Sequence, residues 1–63
     1  MYTLIISYID QKTGEARSAH FLYGTAAEAF QNYRYAIKKS EVRLARIYRG
    51  GQEIFMWHSK IPC

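Results

Sequence analysis

The stretch RLARIYRGGQEIFMWH, residues 43–58, decides the fold. Two runs rich in Ile, Leu, Tyr, Phe and Trp flank Gly50-Gly51, a dipeptide that accepts the positive φ angles of a two-residue primed turn, so the stretch reads as a complete β-hairpin. Such a turn fixes the register. Counting outward from it pairs Arg49 with Gln52, Tyr48 with Glu53, Ile47 with Ile54, Arg46 with Phe55, Ala45 with Met56, Leu44 with Trp57 and Arg43 with His58. Side chains alternate across a strand, so Ala45, Ile47, Ile54 and Met56 share one face, while Leu44, Arg46, Tyr48, Glu53, Phe55 and Trp57 share the other. The first set reads as plain core. The second carries three aromatics and an arginine, more than a solvent face needs.

Upstream of the hairpin, Gly24-Thr25-Ala26-Ala27-Glu28 is a helix start: Thr25 caps the free amides and Glu28, three residues on, completes a capping box. The helix is expected to run over about 26–39. At about 100° per residue, Ala26, Ala29, Phe30, Tyr33 and Ile37 fall in one stripe, with Glu28, Gln31, Asn32, Tyr35 and Lys39 opposite. Earlier still, Tyr2 to Ile9 reads as a strand with Leu4, Ile6 and Tyr8 on one side and Thr3, Ile5, Ser7 and Ile9 on the other. Asp10 to Glu15 is a turn leading to a second strand, Ala16 to Tyr23. A four-residue loop sets Leu4, Ile6 and Tyr8 beside Phe21, Ala19 and Arg17; a three-residue loop with a bulge sets them beside Leu22, His20 and Ser18. The first is preferred, because it gathers the polar Ser7, Ser18 and His20 on the side away from Leu4 and Phe21. Ser40 and Glu41 form a short break, and Ser59 to Cys63 is a tail in which Pro62 forbids regular continuation.

The order is β-β-α-β-β, an α+β domain over residues 1–63 in which a four-stranded antiparallel sheet carries one helix on one face. One helix covers only one face, so the other must be polar, paired or a binding surface. A chain of 63 residues buries only about 60% of the surface its unfolded form exposes, so self-association would add stability. The composition, 49% hydrophobic and 16% aromatic with one proline, is that of a folded chain. No apolar run is long enough for a membrane span, and the start lacks a basic segment followed by a long apolar one. Cys63, the one cysteine, has no intramolecular partner, which agrees with a reducing compartment; a cytoplasmic location is expected.

The net charge is +4. Its distribution is uneven: Arg34, Lys38, Lys39, Arg43, Arg46 and Arg49 lie in one quarter of the chain with a single acid, Glu41. Such clustering favours an anionic partner, nucleic acid or an acidic protein surface, while the plainer reading is a solvated helix end where the dipole welcomes Lys38 and Lys39.

No catalytic constellation emerges. Asp10, Glu15, Glu28, Glu41 and Glu53 are scattered over turns, a helix start, a loop and a strand, so no carboxylate pair forms for acid–base chemistry. His20 and His58 lie on different hairpins, and a metal site built from His58 and Cys63 is two ligands short. Gly50-Gly51 has no following helix and no Lys-Ser or Lys-Thr, so it is a turn and not a phosphate loop. Cys63 after a proline is poorly held for nucleophilic work. The expectation is a non-enzymatic protein with no cofactor and no metal.

The outer sheet face remains, with Leu44, Arg46, Tyr48, Phe55 and Trp57 as candidate partner-binding residues. Three readings compete for it. The rings form a stacking platform for unpaired bases, with the basic set Arg34, Tyr35, Lys38, Lys39, Arg43 and Arg49 contacting the anion. Alternatively the face is a protein interface, since Trp, Tyr and Arg are enriched at hot spots. In the third reading, the tail or a second copy of the chain covers it, giving a homodimer. Glu53 in this face repels phosphate, or pairs with Arg46.

A basic β-β-α-β-β chain of this length, with a capped helix and a tight Gly50-Gly51 hairpin, resembles the small accessory proteins that phages and mobile elements encode, among them anti-CRISPR inhibitors. The resemblance lies in the order of elements and transfers no residue. It implies inhibition or regulation by binding a host enzyme or nucleoprotein complex in the host cytoplasm, often as a dimer.

Overall fold

In the computed structural model, which describes residues 1–59, the elements follow in the expected order: β1 (Tyr2–Ile9), β2 (Ala16–Tyr23), α1 (Ala26–Ile37), β3 (Val42–Arg49) and β4 (Gln52–His58). The tail residues Pro62 and Cys63, and the idea that the tail covers the sheet, lie outside the described residues. Thr25 caps α1 as expected, its hydroxyl accepting from the Glu28 N–H at 3.2 Å. The helix ends at Ile37, two residues before the expected Lys39, because Lys38 and Lys39 turn back and donate their N–H groups to the Ala36 carbonyl.

The strands form one antiparallel sheet in the order β2-β1-β3-β4. Since β1 is antiparallel to both of its neighbours, β2 and β3 run parallel on either side of it, and α1 is the crossover that spans β1. The helix therefore lies over β1, β3 and, less closely, β2. Ala29 and Ala36 let it approach, and with Tyr33 they close over Leu4, Ile6, Val42, Ala45 and Ile47 to make the core. Among the described residues no polar or charged side chain is buried.

The first hairpin has the preferred four-residue loop. Leu4 pairs with Phe21, Ile6 with Ala19 and Tyr8 with Arg17, while Ser7 faces Ser18 and Ile5 faces His20 on the other side of the sheet. The Asp10 N–H donates to the Glu15 carbonyl at 2.8 Å, and the Asp10 carboxylate accepts from the Lys12 N–H at 2.8 Å.

The second hairpin departs from the expected register. Gly50 and Gly51 take φ of 57° and 85°, the left-handed values a primed turn demands, and Arg49–Gln52 and Tyr48–Glu53 pair as counted. Then a bulge intervenes. Ile54 is the extra residue, so Ile47 pairs with Phe55, Arg46 with Met56, Ala45 with Trp57 and Leu44 with His58. Every position beyond the bulge changes face. Phe55 and Trp57, expected on the outer face, lie on the helix side; Ile54 and Met56, expected under the helix, are 45% and 49% exposed.

The reason is reach. Four strands span about 14 Å between outer axes, whereas a helix with its side chains is about 10 Å across, so the inner side of β4 lies beyond the cover of α1. Long aromatic side chains bridge that gap. The Phe55 ring meets Phe30 at 5.4 Å and Tyr33 at 5.0 Å between centroids, both edge-to-face, and Trp57 packs against the same core. An isoleucine at Phe55's place would stop short of these rings. The bulge sacrifices a ladder hydrogen bond worth about 1 kcal/mol, and the two edge-to-face contacts of Phe55, each about 0.5–1.5 kcal/mol beyond the area they bury, offset it.

Candidate partner-binding face

With the register corrected, the outer face holds Thr3, Ile5, Ser7 and Ile9 of β1, flanked by His20 and Leu22 of β2, by Leu44, Arg46 and Tyr48 of β3, and by Glu53 and Met56 of β4. No described element covers it. Its centre is Arg46, which faces Ile5 on one side and Met56 on the other. A guanidinium N–H of Arg46 donates to the Tyr48 hydroxyl at 3.4 Å. The Arg46 Nε is shielded from solvent and lies 3.5 Å from Glu53 Oε1, an ion pair without hydrogen-bond geometry. The Tyr48 hydroxyl foremost, then Glu53, raises the Arg46 pKa above its already high ordinary value, so the group is a fixed cation. Apolar Ile5, Leu44 and Met56 thus ring a charge whose own partner is on the same surface.

Of the five expected contact residues, Leu44, Arg46 and Tyr48 stand together on this face. Phe55 and Trp57 do not; the bulge has taken them into the inner layer, and Tyr48 is left as the one Phe, Tyr or Trp of the outer face among the described residues.

The basic set does not form one surface. Arg34, Tyr35 and Lys38 share the solvent side of α1 with Gln31, and the Lys38 Nζ sits 5.6 Å from the Tyr35 ring centre. Lys39, just past the end of α1, borders the groove beside Ile6, Ala19 and Phe21 and also the one beside Val42 and Trp57. Arg43 donates to the Ser40 carbonyl, closing the break between α1 and β3. Arg49, at the hairpin tip, places its guanidinium 5.9 Å from the Tyr2 ring centre. With Arg46 on the sheet face, the six cations that are close in sequence are thus divided between the helix end, the break after it, the sheet face and a turn.

A second open surface, missed in the sequence, lies between α1 and β2. Because the helix is centred over β1 and β3, the inner side of β2 is left partly bare: Phe21 is 43% exposed, and an apolar groove of about 230 Å³ runs past Ile6, Ala19, Phe21 and Ala36. On the opposite side of the same strand, Leu22 is 65% exposed. Burial, then the Glu28 carboxylate, raises the Tyr23 phenol above its ordinary pKa. The signal that locates this surface is the pair Ala29 and Ala36, which draw the helix toward the sheet centre.

Among the described residues no group of three or more His, Cys, Asp or Glu side chains is placed to hold a metal ion, and no helix is long and apolar enough to cross a membrane. Comparison with known proteins finds no matching family model, curated protein or solved structure.

Proposed function

We propose that the chain is a non-enzymatic binding protein that docks a protein partner on its outer sheet face and regulates or inhibits that partner by occupying its site. The observation that carries this reading is the face that no described element covers, where Ile5, Leu44 and the half-exposed Met56 surround the Arg46–Glu53 pair and Tyr48. Apolar side chains around a central arginine and tyrosine are the composition of an interface hot spot, and an acidic side chain beside them suits a partner carrying both signs of charge. The base-stacking alternative draws less support, because one ring is no platform for successive bases and Glu53 repels phosphate.

The test is a comparison of two baits in an extract of the native host, the wild-type chain and Met56→Asp, whose side chain faces solvent and leaves the core untouched. A protein retained by the first and lost by the second is then purified and titrated against both by calorimetry, with at least a tenfold weaker Kd expected for the variant. Equal retention would remove the outer face from the reading. Tight binding of single-stranded DNA or RNA in low salt, released steeply as salt rises, would replace it with the nucleic-acid reading.

A further inference from the structure

We propose that two copies of this chain join antiparallel along β2 about a two-fold axis at Ala19, uniting four strands from each into one continuous sheet. This concerns an edge and not the outer face, so it stands or falls apart from the partner-binding reading.

The ladder shows what the edge offers. The Asp10 N–H donates inward to Glu15, and the Ile9 N–H points the other way, to the Glu41 carbonyl at 2.9 Å. Alternation then turns the N–H and C=O of Glu15, Arg17, Ala19, Phe21 and Tyr23 toward β1, leaving those of Ala16, Ser18, His20 and Leu22 facing outward. The strand is eight residues long, unbroken in register and free of proline. Its one charge, Arg17, is neutralised by Asp10 at 3.0 Å and Glu15 at 3.6 Å. Edges are ordinarily blunted by bulges, prolines or charges that deter pairing. The opposite edge, β4, has both a bulge at Ile54 and the charge of Glu53. By comparison β2 is unguarded.

Self-complementarity names the occupant. The outward-facing residues run from 16 to 22, so an axis at Ala19 pairs Ala16 with Leu22 and Ser18 with His20 of the second copy, each twice, and uses every outward group. The intervening non-hydrogen-bonded positions bring Ala19 against Ala19, Arg17 against Phe21 and Glu15 against Tyr23. Small meets small on the axis, a cation meets a ring, and a carboxylate meets a phenol donor. Moving the axis one residue, to His20, sets two imidazoles face to face and leaves Ala16 opposite Gly24.

Charge favours the same union. The chain carries +4, yet its segment 10–23 holds Asp10 and Glu15 against Lys12 and Arg17 and sums to zero. Arg43, Arg46 and Arg49 lie two strands away on β3. Joining at β2 therefore keeps the basic parts of the two copies apart, and it shelters Phe21 and Leu22, two of the exposed large apolar side chains.

Sedimentation equilibrium of the purified chain from low to high micromolar concentration is expected to give twice the chain mass; a monomer throughout would overturn the proposal. His20→Pro removes an outward N–H and none of the β1 ladder, so it is expected to yield a monomer with an unchanged circular dichroism spectrum. A folded His20→Pro that remains a dimer would also overturn it. Should that variant fail to fold, cross-linking decides. In a Cys63→Ser background, Ala19→Cys places two thiols across a non-hydrogen-bonded pair with Cα atoms about 4.5 Å apart, within disulfide reach, and is expected to oxidise to a covalent dimer. A folded Ala19→Cys variant that stays uncross-linked under oxidation refutes the axis.

Discussion

At the scale of single residues, the structure separates side chains that look alike in the sequence. Phe55 and Met56 are neighbours in an apolar run, but Phe55 completes a three-ring cluster with Phe30 and Tyr33 whereas Met56 is half-exposed. Phe55→Ala is expected to cost about 2–4 kcal/mol, and Met56→Ser less than about 0.5 kcal/mol, in urea titrations. Equal costs would mean that the two share one environment. Asp10 supplies a pH test. The Lys12 N–H foremost, assisted by Arg17, lowers its pKa below 3.8, so the ionised carboxylate is the form the fold favours. A depressed folded pKa contributes stability above the unfolded value and loses it as pH falls through the folded one. The stability advantage of the wild type over Asp10→Asn should therefore be full at neutral pH and close below about pH 4. A gap that persists at lower pH would assign it to shape and not to charge. Residue identity made Asp10 legible as a turn former and Tyr35, 58% exposed, legible as a solvent residue from its place opposite the apolar stripe. The placement of Phe55 was not, since it depends on the Phe30 and Tyr33 rings of α1, one strand back along the chain.

At the scale of elements, periodicity and turn chemistry carried nearly everything. Thr25 and Glu28 marked the start of α1, Gly50-Gly51 marked the second turn, and the polar trio Ser7, Ser18 and His20 selected the first hairpin's register. The bulge at Ile54 carries no comparable local mark. Ile54 has neither the glycine nor the polar character that signals an interrupted strand, and a regular hairpin from the same turn satisfies every local preference. What selects the bulge is the distance from β4 to the helix, a property of the assembled layers. Deleting Ile54 tests this. Without the extra residue, Phe55 falls opposite Ile47 by simple counting from Gly50-Gly51, so both rings keep their places under the helix edge. The deletion variant is expected to fold cooperatively, with the near-ultraviolet signal of Trp57 preserved. In an uninterrupted hairpin the same deletion would swing Phe55 and Trp57 across the sheet, and loss of cooperative unfolding would point to that arrangement.

At the scale of the molecule, the balance of surfaces matters most. Among the described residues one helix serves four strands, the core rests on eight side chains, and the sheet is left with an open outer face, a half-covered inner groove and a bare edge at β2. That one helix leaves a face open follows from element order alone, but which edge is bare requires the order β2-β1-β3-β4, which no pairing within either hairpin reveals. A domain this small gains from association, and pairing through β2 makes unfolding a two-chain event. Its midpoint must then depend on concentration. Each tenfold rise in concentration adds about 1.4 kcal/mol per dimer, or about 0.7 kcal/mol per chain. With an unfolding entropy of about 2.1 cal/mol/K per residue, the 63-residue chain should gain about 5 °C in Tm per tenfold. His20→Pro, which leaves the β1 ladder whole, should show a flat Tm over the same range. A flat Tm for the wild type as well would mean that β2 has no second copy beside it, and an equal slope in both would move the association to the outer face around Arg46, where a partner and a second copy would compete for the same residues.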